Sequence, residues 1–161
     1  MLYQSIKSSR LSKSSLYCND GYILFPLRKF SYSLKEIEQS KPKIYTVDNG
    51  IIRVFAHKIS ENAGRLMENA VFLELRRRHK ENKGLYYYIT GDNKEIDFLI
   101  ENRLLIKVTH DLDKEHIREL KTMDELKIKE GIVITWDTED VVEEGKRRIV
   151  VKPLWKWLLT Q

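Results

Sequence analysis

Three strand-like runs follow one another closely between residues 85 and 108, and a fourth apolar run comes after a helical pattern. Turn residues at 91–93 and 102–103 separate the first three runs, which favours an antiparallel meander. The fourth run, residues 132–136, is apolar on both faces, which is typical of a covered central strand. Because a helical pattern at 113–128 precedes it, we expect a parallel crossover into the same sheet. Together these features predict a mixed sheet.

A helix is predicted just before this block. Residues 61–80 carry apolar side chains at intervals of three and four, with Ser60 as the N-cap. A last strand is predicted at residues 148–152, followed by a short amphipathic helical turn at 153–159. The order from residue 61 is therefore αβββαβ with a terminal strand. It predicts an α/β fold with a mixed central sheet flanked by helices.

The N-terminal part is predicted to be organised differently. We interpret residues 1–40 as a basic arm with a short strand at 22–25, and residues 41–161 as the α/β domain. The first 15 residues are rich in serine and lysine or arginine and contain no acidic residue. This composition fits either a disordered arm or the remnant of another element.

Composition narrows the class of protein. The 161 residues carry 29 Lys and Arg against 24 Asp and Glu, a net charge of +5, which permits a nucleic-acid partner. Mean hydropathy is −0.47, and no apolar run approaches the roughly 18 residues of a membrane span, so we expect a cytoplasmic protein with no membrane partner. One cysteine excludes a disulfide within the chain, and no nucleotide-binding or zinc motif occurs.

Acidic side chains are expected to gather on one side of the predicted sheet. Strand alternation places Glu95 and Asp97 together, with Ile96, Phe98 and Ile100 on the opposite face. The helix before the meander adds Glu68. Asp97 either binds a metal or pairs with a neighbouring lysine, Lys94 or Lys107; both interpretations stay open.

A second helical carboxylate has a different expected role. Glu74 lies beside the apolar stripe of the predicted helix. Because a buried charge usually needs a partner, we expect an arginine to neutralise it.

A helix carboxylate, a strand aspartate and an acid-x-lysine on the next strand form the PD-(D/E)XK pattern of metal-dependent nucleases. Carboxylates at these places hold Mg²⁺ or Mn²⁺, which activates water and stabilises the developing charge. Here Asp97 is the strand candidate for catalysis and metal binding, and the predicted helix offers a carboxylate, Glu68 or Glu74. Lys107 stands at the place of the acid and Thr109 at the place of the lysine. A cation at a ligand position repels a divalent ion, so we expect cleavage to be lost.

The chain also resembles the C-terminal domain of archaeal and bacterial AAA-type ATPases. The resemblance runs from about residue 16 to residue 157 and is most specific in KIYTVDNG, MEN and EIDF. It implies a restriction-endonuclease-like, PD-(D/E)XK core, with Glu68 and Asp97 at the carboxylate positions. In that family an ATPase domain and a winged helix come first, so residues 1–40 would include a remnant of the winged-helix region. The ATPase motif is absent from this chain.

These observations predict a nucleic-acid-binding or protein-interaction domain that does not cleave. DNA phosphates would be contacted by the basic run and the lysine of the third strand, Arg76, Arg77, Arg78, Lys80 and Lys107. The alternative is a Mg²⁺- or Mn²⁺-dependent DNA nuclease in which Glu95 is the relocated acid beside Asp97 and Glu68. A third interpretation is docking to an ATPase domain or to a second copy, with exposed aromatic residues as anchors.

Overall fold

Residues 23–55, 63–79, 82–111 and 122–160 are described in a computed structural model. Eight strands and four named helices form this part of the chain. The strands are β1 (Leu24–Leu27), β2 (Lys43–Thr46), β3 (Leu85–Ile89), β4 (Glu95–Ile100), β5 (Leu104–Val108), β6 (Glu130–Thr135), β7 (Asp140–Glu144) and β8 (Arg147–Pro153). The helices are α1 (Leu34–Gln39), α2 (Asn49–Phe55), α3 (Ala63–Arg78) and α4 (Leu154–Leu159), and residues 122–126 are also helical.

A six-stranded mixed sheet forms the centre, in the order β3-β4-β5-β6-β8-β7. The first three strands form the predicted antiparallel meander. The next two, β6 and β8, run parallel to β5 and to each other, and β7 closes the edge in antiparallel orientation. The predicted mixed sheet is therefore confirmed, and so is the central position of β6.

β1 and β2 pair in antiparallel orientation as a separate two-stranded sheet beside the central one. We call this pair the hairpin, although α1 lies in the connection between its strands. The chain just after β1 pairs with β3, since the Phe30 N–H donates to the Tyr87 carbonyl at 2.7 Å and the Tyr87 N–H donates to the Arg28 carbonyl at 3.1 Å. The boundary predicted after residue 40 falls between the two hairpin strands. The hairpin contributes to the core, because Leu27 on β1 is buried.

Two apolar layers cover the two faces of the sheet. On one face α3 packs against the meander, and the Phe72 ring stacks on Tyr45 of β2 at 4.1 Å. On the other face Met123, from the helical residues 122–126, packs with side chains of β4, β5, β6 and β8. Helices therefore flank the sheet on both sides, as predicted. Ser60, the predicted N-cap, and residues 113–121 of the second predicted helix lie outside the described residues.

Several short elements have no counterpart in the sequence-based prediction. α1 begins after Ser33, whose hydroxyl accepts the Glu36 N–H, and α2 begins at Asn49. β1 runs to Leu27, beyond the strand predicted at 22–25, and includes Pro26. β7 is an edge strand with acidic residues, a composition that limits edge-to-edge pairing and hides the strand from pattern analysis. In the described part of the chain, no helix is long and apolar enough to cross a membrane.

An irregularity in β4 changes the direction of its side chains. Tyr88 pairs with Ile96 but Tyr86 pairs with Leu99, so β4 carries one extra residue, as in a β-bulge. Ile96 packs with Leu99 on one face, whereas Phe98 packs on the other. The predicted grouping of Ile96 with Phe98 on one face is therefore wrong. The bulge leaves Asp97 on the side of the sheet that α3 covers, where it meets Lys43.

Candidate functional site

The ammonium group of Lys43 lies among three carboxylates. Its Nζ is 2.7 Å from Glu68 Oε1, 2.6 Å from Glu95 Oε1 and 3.2 Å from Asp97 Oδ1. The three acids are the candidate catalytic residues identified from the sequence, and the fold brings them together from α3 and β4. The cation between them comes from β2. We call Lys43, Glu68, Glu95, Asp97 and the adjacent Lys107 the Lys43 cluster.

Asp97 is the most deeply buried member, with 3% of its surface exposed. Its Oδ2 accepts the backbone N–H of Val108 at 2.9 Å and lies 3.4 Å from Lys107 Nζ. The pairing with Lys107 that the sequence left open is therefore present, whereas Lys94 pairs with Asp92 instead. The carboxylate thus joins β4 to β5 as well as to β2.

The two departures from the nuclease pattern behave differently. Lys107 turns toward the cluster, where its Nζ donates to the Glu95 backbone carbonyl at 2.8 Å in addition to its ion pair with Asp97. Thr109 makes its hydrogen bonds elsewhere: its hydroxyl donates to the Asp111 carbonyl at 2.8 Å, and its N–H donates to the Ile134 carbonyl. Lys107 belongs to the cluster, and Thr109 helps to close the end of β5.

The surrounding charges keep two hydrogen-bond donors protonated, Lys43 and the neighbouring Tyr45. Burial works against the Lys43 ammonium, but the charges of Asp97 and Glu68, together with hydrogen bonds to the acids, outweigh it and raise the lysine pKa. Tyr45 donates its hydroxyl to Glu68 Oε1 at 2.7 Å. Burial, and then the charge of Glu68, raise the pKa of Tyr45. Both groups therefore donate to the carboxylates at neutral pH.

Asparagine side chains connect α3 to the end of β2. The Asn69 amide accepts the Thr46 N–H at 2.9 Å and donates to the Thr46 carbonyl at 3.1 Å, so it replaces a neighbouring strand. It also donates to Asn49 Oδ1 at 2.9 Å, and Asn49 donates to the Leu66 carbonyl at 3.0 Å. This network holds Lys43 and Glu68, which lie on the same two elements, in register.

Intramolecular contacts engage the described part of the basic run. Arg76 lies over the Phe25 ring at 4.0 Å. Arg77 and Arg78 pair with Glu74 at 2.5 and 2.6 Å, which confirms the expected arginine partner of that acid. The hydrogen bond from Arg77 is the largest influence that lowers the pKa of Glu74, to about 2. Lys80, the last residue of the basic run, lies outside the described residues.

The chemistry of the Lys43 cluster is that of charge neutralisation. Three carboxylates face two ammonium groups, and each acid has a cation within 3.2 Å. Among residues 23–55, 63–79, 82–111 and 122–160, no group of three or more His, Cys, Asp or Glu side chains has the geometry to hold a metal ion. A divalent cation would have to displace Lys43 to reach the three acids.

Sequence reasoning missed Lys43, Tyr45 and Asn69. The first two lie on β2 and the third on α3, and no spacing rule relates them to the meander. The available signal was their presence in the KIYTVDNG and MEN segments on which the family resemblance rests. These segments contact one another directly in the fold.

Comparison with known proteins adds a family match. The family profile of DUF4143, described as a domain of unknown function, matches residues 63–157. An uncharacterised protein of Methanocaldococcus jannaschii is 38% identical over 162 residues, which cover 89% of this chain and 35% of that protein. The chain thus spans about a third of the length of this relative. No solved structure matches the chain.

Proposed function

Because the chain belongs to the DUF4143 family, whose description assigns no function, we propose one from the Lys43 cluster. The domain is a binding module that retains a nuclease-like core and does not cut nucleic acid. Its core is of the PD-(D/E)XK type, related to the C-terminal region of AAA-type ATPases. The mixed sheet covered by α3, with acids on α3 and β4, supports this assignment.

The position of Lys43 Nζ is the observation that carries the proposal. In a metal-dependent nuclease the carboxylates must be available to Mg²⁺ or Mn²⁺, which generates the attacking hydroxide. Here the same oxygens hold an ammonium group 2.6 to 3.2 Å away. A divalent ion at this distance from an ammonium group is strongly repelled, and lysine supplies no activated water. The arrangement therefore argues against metal-dependent hydrolysis by these carboxylates.

The same face offers cations for phosphate contact. Lys41 is exposed two residues before Lys43, and Arg65 is exposed on α3, three residues before Glu68. We assign the phosphate contacts to Lys41 and Arg65, which we call the phosphate-binding rim, since Arg76, Arg78 and Lys107 are engaged inside the domain. Such contacts give affinity that falls steeply with salt.

A metal-dependent nuclease is the second candidate, and the convergence of Glu68, Glu95 and Asp97 favours it. Glu95 would be the relocated acid. In this case Glu68, Glu95 and Asp97 would hold Mg²⁺ or Mn²⁺ in place of the Lys43 ammonium, and the metal would supply an activated water.

One experiment separates these functions. The whole chain is mixed with single-stranded, duplex and branched DNA in Mg²⁺ or Mn²⁺, and both cleavage and mobility shift are measured over a salt series. We expect a shift that weakens as salt rises, no cutting, and a smaller shift in the Lys41→Ala/Arg65→Ala double variant. A matched Lys127→Ala/Lys146→Ala variant, which changes two exposed lysines elsewhere, keeps the shift.

Two outcomes would overturn the proposal. Metal-dependent cutting that disappears in Asp97→Ala would establish the nuclease. Absence of both cutting and shift would exclude nucleic acid as the partner and leave a protein-interaction domain, with an ATPase domain as the first partner to test.

A further inference from the structure

The last helix, α4, is apolar on both its inner and outer faces. Leu154 and Trp157 pack toward the core. Trp155, Leu158 and Leu159 point outward with 60%, 38% and 77% of their surface exposed. These three positions are separated by three and four residues, so they form one continuous helical face. A helical face of this apolar character is normally covered rather than left in water.

A third tryptophan enlarges this face. Trp136 is 55% exposed and follows Thr135, the residue paired with Pro153 at the start of α4. Lys156 on α4 donates to Glu139 Oε2 at 2.7 Å, which holds the loop after β6 against the helix. We call Trp136, Trp155, Leu158 and Leu159 the C-terminal apolar patch.

The size of the patch fits a small dimer interface. Two tryptophans more than half exposed, with two leucines, present on the order of 500 Å² of apolar surface, as large as the largest patch on a typical monomer. Two such patches facing each other would bury about 1,000 Å², the lower bound of a specific interface.

We propose that the C-terminal apolar patch joins two copies of this chain about a twofold axis. In such an interface each patch meets itself, so apolar side chains cover apolar side chains. The exposed pair of Lys156 and Glu139 borders the patch and gives each copy both a positive and a negative group at its rim. After a twofold rotation, each group can face the opposite charge of the other copy.

The charges around Trp136 disfavour nucleic acid as the occupant. Asp137, which follows Trp136 in the chain, is exposed, and so is Asp111, which pairs with His110, the residue whose ring stacks on Trp136 at 5.6 Å. Phosphates would meet these carboxylates. The dimer therefore uses a surface separate from the proposed phosphate-binding rim. Its test does not depend on whether the domain binds nucleic acid.

The test is the molar mass of the full 161-residue chain in solution, measured by light scattering and sedimentation over about 1 μM to 1 mM, the range in which a weak interface dissociates. We expect wild-type protein to approach twice 19.2 kDa as concentration rises. Leu159→Lys and, independently, Trp155→Lys should remain monomeric. Both side chains are exposed, so circular dichroism should show an unchanged fold. Val54→Lys, at an exposed valine of α2, is the matched control and should dimerise like wild type.

The proposal is overturned if wild-type protein is monomeric throughout this range. It is also overturned if both lysine variants dimerise as wild type does, because the two copies would then meet through another surface.

Discussion

Lys43 and Asp97 are 54 residues apart in the chain, and the Lys43 ammonium donates to Asp97 Oδ1 at 3.2 Å. The lysine belongs to the hairpin and the aspartate to the bulge of β4, so one contact connects the hairpin to the central sheet. Since Asp97 is buried, removing the Lys43 charge would leave this carboxylate with only the more distant Lys107 and the Val108 N–H as partners.

Lys43→Met should destabilise the domain strongly. The change leaves Glu68, Glu95 and Asp97 close together without the ammonium between them, and breaking a buried ion pair in this way costs about 3–5 kcal/mol. The free energy of unfolding from urea titration measures the loss. Lys94→Met is the matched control, because Lys94 pairs with the exposed Asp92 and its loss should change stability far less. Equal losses in the two variants would show that the ion pairs of Lys43 contribute no more to the free energy of unfolding than an exposed ion pair does.

Glu74 should make stability depend on pH in the acid range. Its pKa falls from 4.5 to about 2 in the folded protein, chiefly through the hydrogen bond from Arg77. A lowered folded pKa stabilises the protein above pH 4.5, and this contribution disappears as pH falls toward 2. Urea titrations of wild type and Glu74→Gln should therefore differ most above pH 4.5 and converge toward pH 2. A gap that stays constant with pH would contradict this assignment.

Asn69→Ala should loosen the end of β2. The substitution leaves the Thr46 N–H and carbonyl without their side-chain partner, and unsatisfied buried groups cost about 1–3 kcal/mol each. The rate of amide hydrogen exchange at Thr46 should rise above its wild-type value by much more than the rates in β5 or β6 do. Gln39→Ala, at an exposed amide on α1, serves as the control and should leave exchange at Thr46 unchanged.

Arg78→Ala should lower stability and leave nucleic-acid binding intact. Arg78 pairs with Glu74, lies over the Trp157 ring at 4.7 Å and donates to the Thr160 carbonyl at 2.9 Å. We expect a loss of about 1–3 kcal/mol in thermal or urea unfolding. The salt slope of any mobility shift should match that of wild type, whereas Arg65→Ala should reduce the slope by about one. A reduced salt slope in Arg78→Ala would show that the basic run contacts the phosphates after all.

Short-range patterns predicted the centre of this fold well. The turns at 91–93 and 102–103 identify the meander, and the two-faced apolar run at 132–136 identifies the central strand. The helical spacing around Glu68 and the position of Asp97 were sufficient to nominate two acids that do meet. All of these signals lie within one element or between neighbours in the chain.

The missed features depend on contacts between distant segments or on weak local signals. Lys43 reaches the acids because β2 packs against α3, and nothing in its immediate sequence marks an inward-facing lysine. The bulge at Asp97 leaves no distinct composition in Glu95–Ile100, so strict alternation misassigned the face of Ile96 relative to Phe98. The acidic edge strand β7 resembles a polar loop when its pairing with β8 is unknown.

The hairpin position of Lys43 has a consequence for how the domain assembles. A chain that has formed α3 and the meander, but not yet docked β2, would bring three like charges together without the ammonium that separates them. Docking of the hairpin relieves this repulsion. The hairpin and the sheet on which it docks are therefore expected to unfold together, as one cooperative unit.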